Sequence, residues 1–310
     1  MGWLNQLIHR TDTFLFHYNR FWNKNILRKL IAALCLINIV SILPDLTEIY
    51  STNGLINENI IHNYVAGHQP LLSWLTLPLA KIGIPGDTAL LIVLSLYFLV
   101  LFFIIIGYGK LIFSIIAWFL HLALVNSSYF FSYGADYFIS FALFINIFFC
   151  ISIPNNKAIE NAVSSFAIRL VQLHLCVVYF FAGFGKLLGT DWFDGNAIWY
   201  VIQTYSPKMA NAFAPLTNWP ILFMIPCWLV LLVELMYPVL VWFNATRKAT
   251  IAMTILLHIG IAIVIGLWTF AAIMILLNFI GFGYSFSPLK AFGNKPLLLF
   301  KKTNLIPKQT

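Results

Sequence analysis

Eight stretches of the chain stay apolar over about the length a helix needs to cross a bilayer: roughly 26–44, 88–106, 111–126, 135–153, 168–187, 221–243, 249–265 and 267–284. A spanning helix takes roughly 20 mostly apolar residues to cover about 30 Å of hydrocarbon. The runs are continuous and lack period-2 alternation, and a segment in lipid must satisfy its own backbone hydrogen bonds, so helices are expected. Composition agrees, with 61% hydrophobic, 17% aromatic and only 9% charged residues and a mean hydropathy of +0.88. No water-soluble domain could expose that balance. The expected fold class is all-α: a polytopic membrane helix bundle of about eight transmembrane helices, with an N-terminal amphipathic helix and interfacial or re-entrant outer segments. The expected divisions are an interfacial helix over 1–25, a transmembrane domain over 26–284 and a basic cytoplasmic tail over 285–310.

Charge placement tests the same count independently. With residues 1–25 set in the cytoplasm, eight crossings leave 15 of the 18 Lys and Arg on the inner side. These are Arg10, Arg20, Lys24, Arg28 and Lys29 at the start, Lys110, Lys157, Arg169, Arg247 and Lys248 between spans, and five lysines after residue 284. Lys81, Lys186 and Lys208 fall outside or at the outer edge, together with seven of the ten acids: Asp45, Glu48, Glu58, Asp87, Asp136, Asp191 and Asp194. Inner loops carry the excess of Lys and Arg in membrane proteins. The expectation is therefore a multi-pass protein of the cytoplasmic (inner) membrane with both termini cytoplasmic. The net charge of +8 sits between apolar runs rather than on one soluble face, so it marks topology and not a nucleic-acid partner.

The first 25 residues lack a short apolar core followed by a small-residue cleavage site, so no removed signal peptide is expected. Leu4, Leu7, Thr11, Phe14, Tyr18 and Phe21 recur at helical spacing with Arg10, Arg20 and Lys24 between them, the pattern of a helix lying on the inner surface. Residues 45–87 contain LLSWLTLPLAKIGIP, too short to span and interrupted by Pro78. Residues 188–220 begin GTDWFDGNAIWYVIQTYSP, where Asp194-Gly195 marks a turn, Asn196 is placed to cap a short helix and Pro207 follows its end. Four scattered cysteines, with no CxxC and no Cys/His pair at ligand spacing, give no disulfide scaffold and no metal site. Cys35, Cys150, Cys176 and Cys227 read as buried inert thiols. No GxxxxGK[ST] loop, GxSxG elbow or HExxH motif occurs.

Ionisable groups inside spans are costly and mark candidate sites. Lys186 ends the fifth span; 17 residues beyond Arg169 it lies about 26 Å up the helix, near the outer surface. Tyr179, Ala182 and Gly183 share its face, leaving room for a neighbouring helix or a ligand. Lys186 either snorkels to the headgroups or, if buried, serves as a base. Glu234 stands in the sixth span with Pro238 four residues on, which removes the amide that would bond its carbonyl. His258 in the seventh span reaches similar depth, on the order of 13–15 Å from the inner surface. The two are expected either to pair structurally or to form a proton relay. His174 is expected to be a satisfied core histidine. Asn126, Ser127, Tyr129 and their neighbours make a polar turn between the third and fourth spans, on the side of Lys186, so one outer cavity lined by both is expected. Trp192, Trp199, Tyr200 and Tyr205 are expected at the lipid–water boundary.

The stretch IRLVQLHLCVVYFFAGFGKLLGTDWFDGNAIWY, followed by VELMYPVLVWFNATRKATIAMTILLHIGIAIV, resembles the HTTM domain, the membrane domain shared with vitamin K-dependent γ-glutamyl carboxylase. The likeness extends over most of the chain and is sharpest from about 168 to 265, in YFFAGFGKL…DWFDG and in the Glu-x3-Pro followed by a His one helix later. It implies a multispanning fold whose active site opens to the non-cytoplasmic face. It also implies that Lys186 matches the lysine proposed in the carboxylase as the base that starts oxygenation of a reduced quinone. Ser127, in VNSSY, stands where the carboxylase has a histidine, and no counterpart of the large extramembrane domain that grips propeptides is expected. Short bacterial members of the family include factors for maturation of secreted peptide toxins, and this chain resembles them in length.

Two functions follow. The first is modification or maturation of an exported peptide or protein at the outer face. In it Lys186 would be the base, Glu234 and His258 a supporting catalytic pair, Asn126, Ser127, Tyr129, Tyr179 and Trp192 the substrate cavity, and a reduced membrane quinone of the menaquinone or vitamin K type the redox partner. The second is a non-enzymatic membrane scaffold or transport component in which Lys186 binds an anionic group and Glu234 and His258 hold helices together. Membrane lipid is a partner in both.

Overall fold

The computed structural model describes residues 2–17, 23–51, 54–55, 58–65 and 67–283. The basic tail expected over 285–310, and Tyr18, Arg20 and Phe21 of the first segment, lie outside the described residues. Among the described residues the chain is all-helical, without strands.

Helix α1 (Gly2–Phe16) is followed by α2 (Lys24–Ser41), whose first turn is capped by Asn23: its Oδ1 accepts from the Asn25 amide at 2.9 Å. The interfacial helix expected to run to residue 25 therefore stops at Phe16, and the cap begins a new element. After α2 a 3-10 turn carries Pro44 into the short α3 (Leu46–Tyr50), bent 45° from α2. Helices α4 (Glu58–Tyr64) and α5 (Ser73–Lys81) follow. Nine residues of α5 cover only about 14 Å, so the LLSWLTLPL segment does not cross a bilayer as one helix.

The apolar runs become α6 (Gly86–Ile106), α7 (Lys110–Ser127), α8 (Gly134–Cys150), α9 (Lys157–Leu187), α12 (Ile221–Leu240), α13 (Asn244–Ile265) and α14 (Trp268–Phe282). Between α9 and α12 lie α10 (Ala197–Tyr205) and α11 (Pro207–Phe213). By length and composition α6, α7, α9, α12 and α13 can each cross a membrane, and the bent α2–α3 pair makes a sixth candidate; α8 and α14 are shorter, at 17 and 15 residues. Leu91, Leu99, Phe102, Phe181, Leu232 and Leu256 stand exposed on these helices, a surface suited to lipid rather than water.

Helix α9 is the axis of the bundle, touching α1, α8, α12 and α14, while α2 packs on α6, α8 and α14. It begins 11 residues before the predicted span, because KAIENAVSSFA, too polar to count as a run, still presents a helical buried face of Ser164, Ser165 and Ala167. Lys24 at the start of α2 seals this extension, with Nζ 3.1 Å from Glu160 Oε1 and 3.0 Å from Ser164 Oγ. Arg169 ties α1 down: its Nε donates to the Phe14 carbonyl at 2.8 Å and its guanidinium covers the Phe14 ring at 4.2 Å. Trp3, Leu4, Leu7 and Ile8 remain exposed on α1, the distribution of a helix with an apolar face free for the bilayer surface. Three of the largest fully buried side chains are tyrosines, Tyr97, Tyr179 and Tyr237, and their hydroxyls set the polar interior.

Candidate functional site

The closest approach that matters for chemistry is between α9 and α12. A Cβ on Gly183 would stand 2.9 Å from Leu235 Cγ, 3.0 Å from the Leu235 backbone nitrogen and 3.1 Å from Glu234 Cβ. Only glycine admits α12 this near. One turn further along the same face, Lys186 then reaches Glu234, with Nζ 2.7 Å from Oε2 and 2.9 Å from Oε1. The lysine side chain is 24% exposed and the glutamate 7%, so the pair is half sheltered rather than loose on the surface. Nζ also lies 3.5 Å from the Ala182 carbonyl and 5.2 Å from the centre of the Trp192 ring, within cation–π range.

Trp192 is held beside the pair by the turn that follows α9. Gly195 adopts φ +78° against Met224 of α12, and Trp228 Nε1 donates to the Phe193 carbonyl at 2.9 Å. A side chain at 195 would be strained and would collide with Met224. Asn196 precedes α10 without a side-chain capping bond, and Pro207 opens α11. Ser206, between those helices, donates to the Val264 carbonyl near the end of α13.

His258 does not pair with Glu234 among the described residues; its Nε2 is 2.8 Å from the Tyr179 hydroxyl. Equal depth places two residues on one level but says nothing about which way each faces around its helix, and the glycine contact turns Glu234 toward α9. The Tyr179 hydroxyl also accepts from Asn278 Nδ2 at 2.9 Å, while Tyr237 donates to Asn278 Oδ1 at 2.8 Å. Because Asn278 Nδ2 donates to the Met274 carbonyl at 2.9 Å as well, the amide orientation is fixed. The direction of the bond between the Tyr179 hydroxyl and His258 Nε2 follows the histidine tautomer: where the tyrosine donates, the histidine proton is on Nδ1. That Nδ1 has no partner among the described residues. Four helices, α9, α12, α13 and α14, thus meet in one chain of hydrogen bonds. It lies about 10 Å below Lys186, the rise of seven residues along α9.

The other expected cavity residues lie elsewhere and serve the fold. Asn126 Nδ2 donates to the Pro70 carbonyl at 2.9 Å, and Ser127 Oγ accepts from the Leu72 amide at 2.8 Å. Together they clip the end of α7 to the start of α5. Tyr129 stacks on Tyr64 of α4, ring centres 6.0 Å apart. No hydrogen bond, ion pair or ring contact joins these three to Lys186 among the described residues. His174 stacks on Phe141 at 4.0 Å, yet its Nε2 has no hydrogen-bond partner among the described residues. All four cysteines are free and buried.

Sequence reasoning passed over Asn278 and Tyr237, and also a second buried cluster. There Tyr97 OH lies 2.6 Å from Cys35 Sγ and 2.9 Å from His121 Nδ1, and His121 Nε2 is 3.1 Å from the Asp136 carbonyl. Asn38 Nδ2 donates to Asp136 Oδ1 at 2.9 Å, and a cavity of about 70 Å³ adjoins the group. A single amide or imidazole inside an otherwise apolar helix is the signal that marks these residues. Among the described residues no group of His, Cys, Asp and Glu is arranged to hold a metal ion.

No protein-family model, curated protein or solved structure matches the chain.

Proposed function

We propose that this is an eight-span membrane protein of the HTTM type, seated in the cytoplasmic membrane of a bacterium with both termini in the cytoplasm. It modifies or matures an exported peptide or protein at the outer face, with Lys186 and Glu234 as its working centre. Eight crossings are supported by the way α8 and α14 pack inside the same bundle as the longer helices, and the orientation by the distribution of Lys and Arg. The observation that carries the functional reading is the half-sheltered ion pair beside Trp192 at one end of the bundle. Moving one proton across the 2.7 Å gap from Nζ to Oε2 makes a neutral amine without any charge entering or leaving the site. Such an amine can take a proton from an acidic substrate group. The chain from Tyr237 to His258 fixes the helices beneath the pair.

A reduced membrane quinone fits the chemistry of this end: the Trp192 ring offers a stacking face, and Glu234 accepts while Lys186 donates. Those three residues would hold it. When bound it supplies the electrons that a redox modification needs.

One observation favours the second reading, a scaffold or transport component. Lys186 commits donors to both Glu234 oxygens, as a structural pair does. The two readings separate in cells with and without the chain, by mass spectrometry of their exported peptides. A mass change in an exported peptide that appears only with the chain supports modification. Addition of carbon dioxide to glutamate would identify carboxylase-type chemistry. Identical peptide masses in both, with the exported proteins differing only in amount, overturn it in favour of transport.

A further inference from the structure

Away from the Lys186–Glu234 pair, the α2–α3 bend and the turn from α7 to α8 enclose a cavity of about 70 Å³. One water needs only about 10–15 Å³ of such space, so the cavity has room for more. Asp136 lines it, with no lysine or arginine opposite.

The Asp136 carboxylate is held by neutral donors. Its Oδ1 accepts from Asn38 Nδ2 at 2.9 Å and its Oδ2 from the Tyr133 amide at 3.0 Å. Among the described residues no Lys, Arg or His stands within ion-pair distance of it. A carboxylate has about four acceptor positions, so these two bonds leave others open. The start of α8 offsets about half a charge at most, and the remainder has no counterpart. His121 does not supply one, because its ring nitrogens face other groups: Nε2 lies 3.1 Å from the Asp136 backbone carbonyl and Nδ1 2.9 Å from the Tyr97 hydroxyl.

The rest of the wall also presents acceptors. Ser41 Oγ donates to the Asn38 carbonyl at 2.6 Å and Ser128 Oγ to the Leu124 carbonyl at 3.1 Å. Each hydroxyl thus spends its proton on the backbone and keeps its oxygen lone pairs. Asn38 gives its amide nitrogen to Asp136, which leaves its Oδ1 as an acceptor. Tyr50, hydrogen-bonded to Ser128, joins Phe131 and Tyr133 in adding aromatic rings to the lining, and a ring face attracts a cation. Phe131 and Tyr133 are exposed, which puts the mouth of the cavity at the surface of the bundle. Oxygen acceptors suit a hard cation, and a single carboxylate balances a single charge.

We propose that the Asp136 cavity binds one monovalent cation, an alkali-metal or ammonium ion, with the carboxylate as its counter-ion and Ser41, Ser128 and Asn38 as oxygen ligands. The site is independent of the Lys186–Glu234 pair, so it stands or falls separately from the function proposed above.

The test uses the purified full chain in detergent. Its Tm is followed at constant ionic strength as N-methyl-D-glucamine chloride, whose cation is too large for the cavity, is replaced by sodium, potassium or ammonium chloride. A saturating rise on the order of 2 °C is expected once the preferred ion exceeds its dissociation constant about tenfold, and the order of the three salts identifies the ion. Asp136→Asn also disturbs the start of α8, so the quantity read is the difference between salts and not Tm itself; that difference should vanish. Ser41→Ala, at an exposed position, should shift the midpoint of the titration severalfold to higher concentration. Asp87→Asn, at the exposed start of α6, should leave both unchanged and so separates the site from general screening. If no small cation raises the Tm of the wild-type protein above that in N-methyl-D-glucamine, the cavity is merely hydrated and the proposal is wrong. A salt difference that survives in folded Asp136→Asn overturns it equally. Should Asp136→Asn fail to fold, a Ser41→Ala midpoint equal to that of wild type overturns it.

Discussion

Lys186 of α9 and Glu234 of α12 form an ion pair that engages both carboxylate oxygens, at 2.7 and 2.9 Å, and Gly183 is what brings their helices close enough to make it. The sequence carries both halves of this relationship, a small residue one turn before a lysine and a glutamate in a later span.

Gly183→Ala tests the glycine contact. The added methyl group meets the Leu235 backbone at 3.0 Å, which cannot rotate aside as a side chain could. Overpacking of this kind costs roughly 1–3 kcal/mol, so a clear fall in Tm in detergent is expected. Gly185→Ala is the matched control, because nothing lies within 4 Å of its added methyl. Ala is favoured over Gly in a helix by about 0.5–1 kcal/mol, so Gly185→Ala should hold or raise Tm. Equal effects of the two would remove the glycine contact as the reason the helices meet.

Breaking the pair from one side is expected to cost more than removing it. Glu234→Leu strands the lysine, and loss of a charge-assisted bond is worth on the order of 1.5–3 kcal/mol, toward the lower end here because Lys186 is 24% exposed. The double change Lys186→Leu with Glu234→Leu leaves no unpaired charge and should recover much of that loss. Chemical denaturation of all three variants in one detergent measures it; a double variant less stable than Glu234→Leu would contradict the pairing.

Tyr179 is the hub of the lower network and Tyr237 its end. Tyr179→Phe removes the hydrogen bond with His258 and the acceptor for Asn278, whereas Tyr237→Phe removes one donor to Asn278. Polar contacts between membrane helices average about 0.6 kcal/mol, with a maximum near 1.7 kcal/mol. Tyr179→Phe should therefore lower stability about twice as much as Tyr237→Phe. The opposite order in thermal unfolding would contradict Tyr179 as the hub of the network.

Helix positions were legible to within a few residues because hydropathy and charge act along the chain. The predicted 111–126 became Lys110–Ser127, and 267–284 became Trp268–Phe282. The early start of α9 was not legible, since its first 11 residues bury serines rather than hydrocarbon. Partnerships were less legible than positions. Depth arithmetic put Glu234 and His258 on one level, but a side chain's direction around its helix is set by packing, here by Gly183. Asn126 and Ser127 looked like cavity residues because an outer polar turn has the composition of one; in the fold they hold the backbone of residues 70–72.

Topology has its own measurement. The native cysteines are buried, so single cysteines placed at Asn155 and Asn244 should react with an impermeant thiol reagent from the cytoplasmic side only. Those at Phe131 and Thr217 should react from the outer side only. Labelling of Asn155 and Phe131 positions from the same side would remove α8 from the crossing helices.

Lys186→Arg bears most directly on the pair as a working centre. Arginine keeps the charge and can still donate to Glu234, but it does not give up a proton at physiological pH. The variant is expected to fold with wild-type helical content and elution while the mass change conferred on the exported peptide disappears. A folded Lys186→Arg protein that modifies the peptide as fast as wild type would contradict the role given to the amine.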